Sequence, residues 1–135
     1  MATLERGQIY YIKFPYTFDA NYPDGKPKFV LVLQEGDYFK DYDTVEVLLI
    51  TSDEDSKDYP TNVTIELGLT KLDRESYICC SQPYPVRKDL FDKDGVWCAG
   101  KLLPDKMDEV DEALYLGLCM DKQNEQIESN EVVNK

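Results

Sequence analysis

A chain of 135 residues suits one compact domain, and no internal repeat or second periodic block argues for another. With no histidine, and with four cysteines that include the adjacent pair Cys79-Cys80 and no Cys-x-x-Cys spacing, a zinc site has almost no ligand set to draw on. The net charge of −12 speaks against a broadly basic nucleic-acid surface. Its distribution is uneven, however: residues 35 to 60 hold nine acids and two lysines, residues 105 to 135 nine acids and three lysines, and the remaining segments are close to neutral.

In chain order, Gln8 to Phe14 has the β-branched and aromatic content of a strand and stops at Pro15. Pro15 to Pro27, with Asn21, Pro23, Asp24-Gly25 and Pro27, reads as a long, mobile loop. Phe29 to Leu33 is a continuous apolar run, as expected of a strand buried on both faces. Gly36 to Asp43 connects it to a further strand, Thr44 to Thr51. The acids from Asp53 to Asp58 make a solvated turn rather than a calcium loop, since the glycine and terminal glutamate of an EF-hand are missing. Asn62 to Glu66 alternates as a half-exposed strand. Ser76 to Ser81 forms another, halted by Gln82-Pro83-Tyr84-Pro85, and Val96 to Ala99 follows the Asp94-Gly95 turn.

The last element is a helix from Asp105 to Met120, with Asp105 as N-cap and Met107, Val110, Leu114 and Leu118 as its apolar stripe. Cys98 falls in an apolar strand and Cys119 on that helix face, so all four cysteines are expected to be reduced core residues. Residues 1 to 120 thus read as one domain. Residues 121 to 135, polar with almost nothing to bury, read as a disordered tail. Five to seven short strands and one C-terminal helix predict a mainly β fold, a small, curved, partly open barrel. No apolar run approaches the ~18 residues that span a bilayer, and residues 1 to 6 lack a signal-peptide pattern, so a cytoplasmic location is expected.

Three strand ends carry polar groups able to converge on one phosphate: Lys28 before Phe29 to Gln34, Thr51-Ser52 after Val45 to Ile50, and Gln82 after Leu72-Asp73-x-x-Ser76-x-Ile78. Together with the opening Arg6-Gly7-Gln8-Ile9-Tyr10-Tyr11, the Lys88-Asp89-Leu90-Phe91 segment and Met107-x-x-Val110-Asp111-x-Ala113-Leu114, this block order resembles the MazF/PemK (Kid-like) toxins of type II toxin–antitoxin systems. The resemblance covers roughly residues 6 to 119. Lys28 and Phe29 stand where members carry Arg-Pro. Lys26-Pro27 offers a second alignment, which leaves the strand two residues too long before Gln34.

Several expectations follow from that resemblance. The fold is the SH3-like barrel shared by these toxins and by CcdB. The activity is metal-independent cleavage of single-stranded RNA without a cofactor, by attack of the RNA's own 2′-hydroxyl. That chemistry does not need the histidine pair of pancreatic-type ribonucleases. Lys28 takes the arginine's role, as a point charge rather than a bidentate fork. The Thr51 hydroxyl donates to a phosphate oxygen, and Gln82 completes the catalytic set. Substrate contacts are expected from Ser52, Lys26 and Arg87, and from Tyr16, Phe18 and Tyr22, whose rings can stack unpaired bases or cover a dimer or antitoxin surface. The implied partners are RNA, a cognate antitoxin and a second copy of the chain. The bland readings are a snorkelling Lys28 and a Thr51 that merely ends a strand. Two rival functions stay open, a non-catalytic or decayed relative that only binds, and a gyrase poison like CcdB.

Overall fold

The computed structural model describes residues 3–16 and 19–120. Its seven strands are β1 (Gln8–Phe14), β2 (Lys26–Val32), β3 (Thr44–Thr51), β4 (Asn62–Ile65), β5 (Ser76–Cys79), β6 (Tyr84–Arg87) and β7 (Trp97–Lys101), followed by helix α1 (Pro104–Gly117). All pair antiparallel in the order β4-β5-β3-β2-β1-β7. β6 lies off this path and adds to the first half of β3, so β5 and β6 share one side of that strand. β4 and β7 remain as free edges, which makes the sheet a half-barrel.

Period-2 alternation sorts the side chains onto two buried faces. Ile9, Leu31, Leu48, Ile50, Val63, Ile65, Ile78 and Ala99 join Met107, Val110 and Ala113 of α1 on the helix face. Tyr10, Ile12, Phe14, Val30, Val32, Val45, Val47 and Val86 pack on the other, the loop face, beneath Phe39 and Phe91. β2 and β3 read as unbroken apolar runs because both of their faces are covered. The helix closes the open side as expected, and each fully buried aliphatic side chain contributes roughly 1.5–3 kcal/mol of transfer free energy.

Several boundaries differ from those expected. β2 starts at Lys26, inside what the sequence presents as loop. Pro27 is tolerated because it pairs only with Lys13 of β1, while the β2–β3 ladder begins at Phe29. β6 contains Pro85, which the sequence marks as a stop; it pairs with β3 alone, so its other edge needs no donor. In α1, Leu103 rather than Asp105 is the cap. It makes no side-chain cap hydrogen bond, and Pro104 opens the helix where a missing N–H costs nothing. The buried stripe is Met107, Val110 and Ala113, while Leu118 is exposed beyond the helix end.

All four cysteines are free thiols, but only Cys80 is fully buried. Cys119 lies past the helix, exposed at φ 61°, and is not a core residue. Phe18 and residues 121–135 lie outside the described residues. The β1–β2 connection turns at Gly25, with φ +115°, where a Cβ would stand 2.8 Å from the Phe14 carbonyl oxygen; only glycine fits.

Candidate active site

The row Trp97, Tyr11, Phe29, Ile50, Ile78, Val63 runs straight across six strands on the helix face. One step further along, the β2–β3 register brings Lys28 opposite Thr51, where β3 runs out. A cleft of about 340 Å³ opens there, lined on one side by Tyr11, Lys28, Phe29, Thr51 and Ser52 and on the other by Leu72, Asp73, Arg74 and Ser76 of the β4–β5 connection.

Local hydrogen bonds fix this lining. The Asp53 N–H donates to Thr51 Oγ1 at 3.1 Å, so the hydroxyl proton stays free to donate elsewhere. Buried Ser76 donates from Oγ to the Arg74 carbonyl at 3.0 Å and so sets the turn that carries the Arg74 side chain. Neither the Lys28 ammonium nor the Arg74 guanidinium forms an ion pair among the described residues. Lys28, Arg74 and Asp73 thus line one cleft in a chain whose overall charge is −12. Lys28 also acts on β5: burial pushes the Cys79 thiol above its ordinary 9.0, and the ammonium opposes that rise.

Of the residues expected from sequence, Lys28, Thr51 and Ser52 come together in the cleft. Gln82 is not part of its lining. It is exposed on the β5–β6 turn, where the Tyr84 hydroxyl donates to its Oε1 at 3.3 Å. Tyr16 belongs to that neighbourhood, its ring stacked on Tyr84 at 5.8 Å and its hydroxyl donating to the Pro85 carbonyl at 2.6 Å. Lys26 sits 5.3 Å from the centre of the Tyr22 ring and 3.8 Å from Asp19. Both expected loop aromatics that are described are thus engaged within the chain.

Arg87, expected as a substrate contact, is not part of the cleft lining either. It pairs with Thr44 at the start of β3, seven residues from Thr51, roughly 23 Å along a strand at ~3.3 Å per residue. Its guanidinium is held by Asp89 at 2.9 Å. Sequence reasoning missed Arg74 and the Tyr11–Phe29–Trp97 cluster. The signal for Arg74 lay inside the Leu72-Asp73-x-x-Ser76 motif, at a position read as variable.

The fold is a small half-barrel, and its cleft is lined by Lys28, Arg74 and Thr51, the two cations forming no ion pair among the described residues. The sequence matches the family described as PemK-like, MazF-like toxin of type II toxin–antitoxin system over residues 5–118, and the chain belongs to that family. Solved structures with the same fold include a mycobacterial endoribonuclease in complex with its cognate antitoxin (TM-score 0.61, 20% identity, 87% of this chain and 95% of that one). Another is the MazE–MazF complex of Deinococcus radiodurans (TM-score 0.64, 16% identity, 85% and 94%). The Mycobacterium tuberculosis toxin MazF-mt6 is similar at TM-score 0.58 and 18% identity, over 80% of this chain and 93% of that one. No curated protein sequence matches the chain. Among the described residues, no helix is long and apolar enough to cross a membrane.

Proposed function

We propose that this toxin is a metal-independent endoribonuclease that cuts single-stranded RNA, acts as a homodimer in the cytoplasm and is silenced by a cognate antitoxin. The observation that carries the reading is the meeting of Lys28, Thr51 and Ser52 in one cleft whose cations form no ion pair among the described residues. Membership of the toxin family and the antitoxin complexes among the similar structures support it.

In this mechanism the RNA 2′-hydroxyl attacks the adjacent phosphorus, a bond forms from O2′ to phosphorus, and the bond to O5′ breaks. Asp73, the carboxylate among the described residues of the lining, takes the 2′-hydroxyl proton, and the Lys28 ammonium donates one to the departing O5′. Arg74 and the Thr51 hydroxyl stabilise charge on the non-bridging oxygens, the guanidinium with a planar fork that a lysine lacks. The restriction to single strands follows from the geometry of attack, because a base-paired nucleotide is not free to bring its 2′-oxygen in line.

Purified protein without antitoxin is expected to cut RNA in EDTA and to leave 2′,3′-cyclic phosphate or 3′-phosphate ends. Cleavage that stops with chelator and returns with magnesium would overturn the mechanism. The rival reading, a decayed toxin that only binds, draws on Lys28 in the arginine's place. It predicts an inert wild type that becomes active on Lys28→Arg.

A further inference from the structure

We infer that Trp97, Tyr11 and Phe29 form a stacking platform for an unpaired nucleobase next to the phosphate held in the cleft. The inference rests on the ribonuclease reading and names a subsite for its substrate. The three rings are in mutual contact, with centroids 4.9 Å apart for Tyr11–Phe29, 5.6 Å for Phe29–Trp97 and 6.0 Å for Tyr11–Trp97. Two of them, Tyr11 and Phe29, are also walls of the cleft that holds Lys28 and Arg74. Aromatic residues and cationic residues therefore line one cleft, the pairing by which single-stranded nucleic acid is bound.

Local structure delivers Trp97 to this place. The β1–β7 register shifts between Ile9 and Tyr10, so that Gly100 faces Ile9, Cys98 faces Tyr10, and Ala99 is the extra residue of a bulge. The Lys71 N–H binds the Ala99 carbonyl at 2.8 Å and pins that bulge from outside the sheet. The register that results sets Trp97 beside Tyr11 on the same row as Phe29. A single half-exposed aromatic on a surface needs no explanation. Here the indole is 42% exposed on an edge strand, and the row becomes buried only from Ile50 onward. The loop aromatics offer less, since Tyr16 is already stacked on Tyr84 and Tyr22 lies against Lys26.

Trp97 is the only tryptophan in the chain, so its emission reports on this platform alone. The test titrates the full-length protein with a mixed-sequence, all-deoxy oligonucleotide that lacks the attacking 2′-hydroxyl and cannot be cut. Saturable quenching of Trp97 is expected, with Trp97→Ala binding on the order of tenfold more weakly and Trp97→Phe within about threefold of wild type. Inorganic polyphosphate, which has charge and no base, should bind wild type and Trp97→Ala equally.

Unchanged emission on oligonucleotide binding overturns the platform, and that result stands even if the alanine variant does not fold. So does emission that shifts with protein concentration and not with oligonucleotide, which would make the face a contact between copies. Wild-type cleavage of RNA without quenching sinks the platform and leaves the ribonuclease reading intact. Quenching by a protein that never cuts RNA does the reverse.

Discussion

The two ends of β3 hold their cations in opposite states. At the Thr44 end, Arg87 is bound bidentately by Asp89, whose carboxyl is held below its ordinary 3.8 chiefly by that hydrogen bond. Lys88 beside it donates to the Phe39 carbonyl at 2.8 Å and lies 4.4 Å over the Phe39 ring. At the Thr51 end, Lys28 and Arg74 line a cleft with no ion-pair partner among the described residues. A cation already neutralised by its own chain has little left for a phosphate, whereas one that lines a cleft beside a free hydroxyl is ready for it. An acidic protein can therefore present a cationic site, because recognition depends on local potential and not on net charge.

The largest expected effect sharpens this contrast directly. If Lys28 supplies transition-state charge, Lys28→Ala should slow RNA cleavage about 100-fold, roughly 3 kcal/mol, while Arg87→Ala stays within about twofold of wild type. Initial rates on one RNA substrate decide it. Equal losses in the two variants would erase the distinction between the two ends.

A smaller effect tests how firmly the turn that bears Gln82 is held. A Cβ at Gly117 would stand 2.8 Å from both the Cys80 carbonyl oxygen and the Ser81 Cα, which are backbone atoms that cannot swing aside. Gly117→Ala should therefore destabilise the fold by about 1–3 kcal/mol, seen as a lower urea midpoint at unchanged slope. A loss below about 0.5 kcal/mol would mean that α1 does not press on that turn.

The smallest effect concerns the contact between α1 and the β4 edge. Lys106 of α1 donates to the Thr64 carbonyl at 3.1 Å and pairs with Glu66 at 3.2 Å, tying the helix to β4. The Glu66 carboxyl lies below its ordinary 4.5, chiefly through a backbone N–H, with Lys106 adding to the shift. A lowered folded value means that the contribution is complete above about 4.5 and disappears as pH falls through the folded value. Lys106→Met should thus cost only about 0.5–1 kcal/mol at neutral pH, since Glu66 is half-exposed. Thermal melts from pH 7 to 3 should show the two proteins converging in acid; a gap that widens there would reverse the sign.

Much of the fold was legible because its code is local. Alternation in β1 and the apolar runs of β2 and β3 follow from one or two covered faces, and the spacing of Met107 and Val110 marks the buried side of α1, although Ala113 and not Leu118 completes it. The errors cluster where a neighbour overrules a residue's usual meaning. Pro85 looked like a stop, yet β3 gave it a partner on the side that needs no N–H. Arg87 looked like a free cation, yet Asp89, two residues on, had already bound it. Arg74 was hidden for the opposite reason, since nothing in a run of mixed charges shows which arginine will lack a partner.

By itself, then, the sequence determined the class of fold, the strands that carry Lys28 and Thr51, and the family to which the order of its motifs points, because periodicity and spacing act over a few residues. Tertiary structure alone decided which of these groups meet. It set Lys28 opposite Thr51 through the β2–β3 register, left Gln82 on a separate turn beside Tyr84, and brought Trp97 against Tyr11 through a bulge pinned by Lys71. Those outcomes depend on registers between strands distant in the chain, and a shift of one residue would turn every one of these side chains to the opposite face.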